Sequence, residues 1–269
     1  MNKIRQPAVA GMFYPDNPRE LQTQIDGFLA EAKNDYAAPK ALIAPHAGYI
    51  YSGPVAASAY ATIRDHKNTI NRVVLLGPAH RVFVQGVAAT SADKFLTPLG
   101  DVEIDQACIR ELVNQFSFVN IADDVHAQEH SLEVHLPFLQ RTLHEFSLIP
   151  LAVGEARDEE IDAILESLWG GSETLIVISS DLSHYHDYAT AQRLDSATSD
   201  AIEHLQPERI QYEDACGRIP INGLLQTAKH RGLVATNIDL RNSGDTAGPH
   251  NQVVGYGAYL FHEASESPT

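Results

Sequence analysis

The chain has 269 residues, 44% of them hydrophobic, which suits one large domain or two small ones with a sizeable buried core either way; a single domain over 1–269 is expected. Its 35 acids against 19 bases give a net charge of −16, a field that repels phosphate backbones and argues against nucleic acid as a partner. The two cysteines, Cys108 and Cys216, are too few for a disulfide scaffold, no run reaches the roughly 18 apolar residues of a membrane span, and no signal peptide is evident, so a cytoplasmic location is expected.

In chain order, ALIAPH over 41–46 reads as a strand and GPVAASAYATI over 53–63 as a helix of small apolar residues. RVVLLGPAH over 72–80 is short, β-branched and closed by Gly-Pro, the pattern of a buried strand, and GVAAT over 86–90 is a weaker one. IDQACIRELVNQF over 104–116 places Ile104, Cys108, Leu112 and Val113 near one helical face. FSLIPLAVG over 146–154 is a strand, and DEEIDAILESLW over 158–169 is a helix whose acidic first turn suits its dipole. TLIVISSDLSHYHD over 174–187 is a buried strand running into a polar turn. Helices follow over 189–205 and over 221–232, the second stopped by Gly232, and LVATNIDLRN and VVGYGAYLF are the last strands before a frayed tail from 263. Alternating strands and helices imply an α/β fold, with a mixed, largely parallel central sheet covered by helices. In such sheets ligands bind just past the carboxyl ends of the strands.

That rule gives the histidines their interest. His46, His80 and the group Asp181, His184 and His186 each follow an apolar run. His46 and His80 are candidate metal ligands, since imidazole binds Fe, Zn, Cu and Ni; the alternative is a pair of histidines capping loops. Asp181 reads either as a ligand or acceptor beside His184, or as an ordinary helix cap. EHSLEVHLPFL over 129–139 lacks the HExxH spacing, because its histidines are five apart. His130 and Glu133 fit one helical face, but Pro137 forbids an undisturbed helix, and a loop entering a helix near Leu136 would let Glu133 and His135 reach inward together. In NSGDTAG over 242–248, Ser243, Asp245 and Thr246 are candidate ligands on a glycine-bearing turn. Cys216, in DACGRIPI, reads as a small buried hydrophobe rather than a nucleophile. No GxGxxG, P-loop or GxSxG is present, so nucleotide and α/β-hydrolase chemistry lose support.

Taken together, RQPAVAGMFYP, APHAGYIYSG, LLGPAH, EHSLEVHLPFL, ISSDLSHY, CGRIPI, NSGD and VVGYGAY resemble the MEMO family, also called AmmeMemoRadiSam system protein B, nearly end to end. The resemblance implies a fold similar to the class III extradiol dioxygenases and a redox metal held by two histidines and a cysteine. The histidines correspond to His46 and His80, and an aspartate and histidine of the same pocket to Asp181 and His184. The cysteine does not carry over: its block has Asp245-Thr246 instead. Oxygen in place of thiolate favours iron, with copper or zinc as alternatives, and makes Asp245 the expected third ligand, with Asp181 as the other choice. The implied function is a dioxygenase-like enzyme acting on an unidentified small molecule or peptide. In it His135 or His184 would be the acid/base, and Glu133 would orient an imidazole. The alternatives are a binding or scaffold protein and a zinc hydrolase. The system's name points to a radical-SAM protein and an AMMECR1-like protein as companions.

Overall fold

The computed structural model describes residues 3–33 and 35–263; the expected frayed tail lies almost wholly outside them. The chain opens with β1 (Ile4–Arg5) and α1 (Pro18–Glu31). Asn17 caps α1 by accepting from the backbone N–H of Arg19 and Glu20, Pro18 presets the first turn, and Leu21, Ile25 and Leu29 form its buried stripe. β2 (Ala41–Ala44) and α2 (Tyr49–Ala61) follow. α2 begins four residues before Gly53, where the sequence reading started it, because Pro54 sits inside the helix rather than at its first position. Ile50, whose carbonyl the missing proline N–H would have met, is exposed.

β3 (Arg72–Pro78) and β4 (Val87–Ala89) lead to a hairpin of β5 (Lys94–Thr97) and β6 (Gly100–Ile104). Ile104 therefore belongs to a strand, and α3 (Gln106–Gln115) starts after the Asp105 cap with Cys108, Ile109 and Leu112 buried. β7 (Val119–Ile121), α4 (Asp123–Ala127) and α5 (Leu136–Thr142) precede β8 (Ser147–Val153) and α6 (Asp158–Leu168). β9 (Thr174–Ser179) is followed by a short β10 (His184–His186), α7 (Tyr188–Glu203) and α8 (Arg218–Arg231). Gly232, at φ 67° and ψ 33°, ends α8 in the left-handed cap that glycine alone adopts without strain. β11 (Leu233–Asn242) and β12 (Val253–Glu263) complete the chain.

The sheet runs β1-β5-β6-β8-β3-β9-β2-β12-β10, with β11 on β12, and β4 joining β8 to β7. Its heart is parallel: β6, β8, β3, β9 and β2 all point the same way, and antiparallel pairs with β12 and β5 flank them. This is the expected mixed, largely parallel α/β sheet. β2 and β9 are buried at every residue, and β3 and β8 at all but the first, as strands covered on both faces must be. α1 packs on α2 and α5, α6 on α8, α8 on β3 and β9, and α7 on β11 and β12. Among the described residues no helix is long and apolar enough to cross a membrane.

One buried ion pair ties the N-terminal segment to this body. Glu133 is fully buried and accepts from Arg5 Nη1 at 2.5 Å, Ala8 N at 2.7 Å, Val9 N at 3.0 Å and the Tyr14 hydroxyl at 2.6 Å. Arg5 also donates to the carbonyls of His126 and Glu129. Breaking one side of a buried pair leaves the other charge without a partner. Glu133→Gln is therefore expected to lower the unfolding free energy by about 3–5 kcal/mol in urea titrations at neutral pH. A loss below about 1 kcal/mol would show that the pair is dispensable.

Candidate metal centre

β2 ends at Ala44, β3 at Pro78 and β9 at Ser179, and His46, His80 and Asp181 each lie two residues further on. The three strands are parallel and in register, Ala44 opposite Ser179 and Leu76 opposite Ile178, so these residues emerge on one rim. The rings of His46 and His80 are 5.2 Å apart between centroids. A third ring joins them. His130 lies 5.5 Å from His46 and stacks on His80 at 4.8 Å. One nitrogen from each of the three falls within 4.8 Å of the others.

His130 arrives on the segment before α5, which folds tightly over the end of β3. A Cβ at Gly77 would stand 3.0 Å from the side chains of Leu132, Ser131 and Ser179, so any larger residue there would press these neighbours aside. Ser131 Oγ donates to the Pro78 carbonyl at 2.8 Å, and Ser179 Oγ donates to the Ser131 carbonyl at 2.6 Å. His46 Nδ1 lies 2.6 Å from Ser179 Oγ, and His80 Nδ1 lies 3.0 Å from Glu129 Oε1. His130 Nδ1 is buried without a hydrogen bond, although Glu129 Oε1 lies 3.3 Å away.

His46, His80 and His130 line a cleft of about 940 Å³ with Asp181, His184 and Cys216. Asp181 Oδ1 accepts from the His46 backbone N–H at 2.8 Å and so shapes the loop that carries the ring. Burial pushes the Asp181 carboxyl up to about 7 against the opposing pull of that hydrogen bond. Burial, reinforced by the neighbouring histidines, holds His46 well below its usual range, and burial takes His130 down to about 4. Burial would raise the Glu129 carboxyl, but hydrogen bonds from His80 and Ser131 outweigh it and hold it at about 2. Burial also keeps His184 low. His46, His130 and His184 are thus neutral near pH 7, with lone pairs for a metal or a proton. Cys216 Sγ stands 3.4 Å from His46 Nε2, and burial, then Asp181, raises its thiol to about 12. The cysteine read from sequence as a core filler therefore faces the cleft.

Three expected site residues lie elsewhere. Glu133 faces Arg5 and Tyr14, and none of its hydrogen-bond partners is an imidazole. His135 is sealed in the core, with Nδ1 2.8 Å from the Tyr60 hydroxyl and Nε2 unpartnered. Asp245 accepts from the Tyr188 hydroxyl at 2.5 Å and from Asn242 N at 2.8 Å, so it closes its own turn and is not brought to the imidazole cluster. In that turn Ser243 does line the cleft, its Oγ accepting from Val254 N at 3.1 Å, while Thr246 Oγ1 donates to the Ser243 carbonyl at 3.2 Å. The sequence reading noted His130 beside Glu133 without making it a ligand, and it missed Glu129 and Ser179; only the crowding of acid and imidazole in EHSLEVH signalled the first two.

The buried imidazoles set a pH response. Burial takes His135 down to about 3, whereas an unfolded histidine titrates near 6.5. Below about pH 6.5 the unfolded chain binds protons that the native state refuses, so the metal-free protein is expected to lose stability from there down towards pH 3. His135→Asn should flatten that slope by up to about 1.4 kcal/mol per pH unit in denaturant titrations at several pH values. An unchanged slope would mean that His135 is already charged in the fold.

The model of the Memo-like protein family matches residues 5–260. A MEMO1 family protein of Aquifex aeolicus is 37% identical over 96% of this chain and 99% of its own length. MEMO1 family proteins of Methanosarcina barkeri and Saccharolobus solfataricus are 35% and 32% identical, each over 96% of this chain and 99% of the relative. Among solved structures, an uncharacterized protein of Escherichia coli K12 superposes with a TM-score of 0.50 at 12% identity, over 82% of this chain and 98% of that one, a likeness of fold alone. With relatives this similar from end to end, and the motif-bearing strand exits inside the matched span, the chain belongs to the Memo-like family.

Proposed function

We propose that the chain is a metal-dependent redox enzyme of dioxygenase type, with His46, His80 and His130 holding one divalent transition metal, iron(II) by preference. The observation that carries this reading is the convergence of three imidazole nitrogens within 4.8 Å at the floor of a large cleft. The donor chemistry fits: nitrogen ligands suit iron, copper, nickel and zinc, and His130 Nδ1 is buried without a hydrogen bond. In this reading His130 takes the third position expected of Asp245, whose carboxylate is committed to Tyr188 and Asn242.

When bound, the metal would supply Lewis acidity and electrons for oxygen chemistry. The chain's own residues do the rest. Asp181 holds the His46 loop in place and, with its carboxyl near 7, can hold or release a proton inside the cleft. His184 lines the same cleft and, kept neutral by burial, is the natural proton acceptor. Phe13, Tyr51 and Tyr256 give the walls aromatic surface that displaces water from around an apolar or aromatic substrate. A radical-SAM protein and an AMMECR1-like protein remain the proposed companions.

Protein purified without chelator, or reconstituted with iron(II) under anaerobic conditions, is expected to retain about one transition metal per chain. His46→Ala and His130→Ala should each cut retention by more than about tenfold, since losing even an outer partner of a ligand costs that much. Metal-free protein, or retention indifferent to both changes, would overturn the reading. Oxygen uptake during turnover would separate it from zinc-dependent hydrolysis.

A further inference from the structure

We infer that the segment Glu129–Ser131 is a tautomer lock for the imidazole cluster, with Glu129 and Ser179 as positioning residues that dictate which nitrogen of His80 and His46 carries the proton. Its purpose rests on the metal reading above; its geometry stands without it.

The Glu129 carboxylate meets four donors. Oε1 accepts from His80 Nδ1 at 3.0 Å, His130 N at 2.9 Å and Ser131 N at 2.9 Å, and Oε2 accepts from His80 N at 2.5 Å. Both oxygens already accept from backbone N–H groups, so His80 Nδ1 meets an acceptor and is itself the protonated nitrogen, and the lone pair the ring can offer is the one on Nε2. The same deduction reaches His46 through a serine. The Ser131 carbonyl can only accept, so the single hydroxyl proton of Ser179 is committed to it at 2.6 Å. Ser179 Oγ then turns a lone pair to His46 Nδ1 at 2.6 Å, which makes that nitrogen the donor. His46 presents its lone pair at Nε2, where Cys216 Sγ lies 3.4 Å away.

Both wires end on one three-residue segment. Each selects the tautomer with the proton on Nδ1, whereas an unconstrained neutral histidine carries its proton mostly on Nε2. Each also points the remaining lone pair away from the anchoring side chain, at His46 towards the Cys216 thiol, as metal-ligating histidines with an outer hydrogen-bond partner do. Glu133, four residues on, is an equally buried carboxylate with four donors, yet none comes from an imidazole. Burial of a carboxylate in this segment therefore does not by itself produce the wiring.

Nuclear magnetic resonance of the metal-free full chain labelled with ¹⁵N-histidine reads the tautomers directly, and competition with a chromophoric chelator reads zinc(II) affinity. In the unaltered chain His46 and His80 are expected to be protonated at Nδ1. Glu129→Gln offers one acceptor oxygen where four donors converge. It should shift His80 towards the Nε2-protonated form and weaken zinc binding by about 10–100-fold. Ser179→Ala should do the same at His46, with Ser179→Thr restoring both readouts. Tyr14→Phe, which removes a donor to Glu133 only, should cost stability while leaving tautomers and zinc affinity unchanged. If Glu129→Gln does not fold, the Ser179 pair decides alone. Protonation at Nε2 in the unaltered chain, or Ser179→Ala with unaltered tautomer and zinc affinity, overturns the lock. If the unaltered chain binds no zinc, the metal reading is in doubt, while the tautomers still settle the lock.

Discussion

Parallel pairing of β8, β3, β9 and β2 is the constraint from which the site follows. Parallel neighbours start at one edge of the sheet and finish at the other, so whatever each strand carries just past its last residue is delivered to a common rim. Here the exits of β2, β3 and β9 carry His46, His80 and Asp181, and distances along the chain of 34 to 135 residues collapse to side-chain contact. The rim is also where backbone pairing ends. Polar groups there would be buried without partners unless something covered them. Glu129–Ser131 is that cover, since it satisfies the Pro78 carbonyl and the His80 N–H while adding a third imidazole of its own.

Two buried carboxylates divide the work of this segment. Glu133 stitches the N-terminal strand and loop to the body through Arg5 and Tyr14, and so encloses the side of the molecule from which Phe13 reaches the cleft. Glu129 faces the imidazoles. The chain as a whole carries a charge of −16, yet the cleft floor holds His46 and His130, both kept low by burial, and an aspartate pushed up to about 7. Low dielectric disfavours the charged form of those two rings, and uncharged rings are what a transition metal needs.

How much of this was legible in the sequence depended on range. The four central strands stood out because strands buried on both faces must be apolar at nearly every position. His46 and His80 stood out because each followed such a run. α1 was passed over although Asn17-Pro18 and the stripe Leu21, Ile25 and Leu29 were there to be read, whereas the early start of α2 was hidden by a proline that normally marks a first turn. Ile104 fitted a helical face and went to a strand because β8 offered a ladder partner in Leu148. At the site, helical spacing paired His130 with Glu133. The backbone there makes a turn before a short 3₁₀ helix at Glu133–His135, so the two side chains part. Nothing local could reveal that Glu133 answers an arginine 128 residues away, or that Cys216 meets His46 across 170 residues.

The central claim is that three imidazoles from distant segments share one ion. Crystals of the metal-loaded chain, measured on either side of the iron absorption edge, test it most directly. The account predicts a single anomalous peak within about 2.0–2.3 Å of a ring nitrogen from each of His46, His80 and His130. A peak bonded elsewhere, for instance at the acidic group of Asp162, Glu166 and His230, with the three rings unligated, would contradict it.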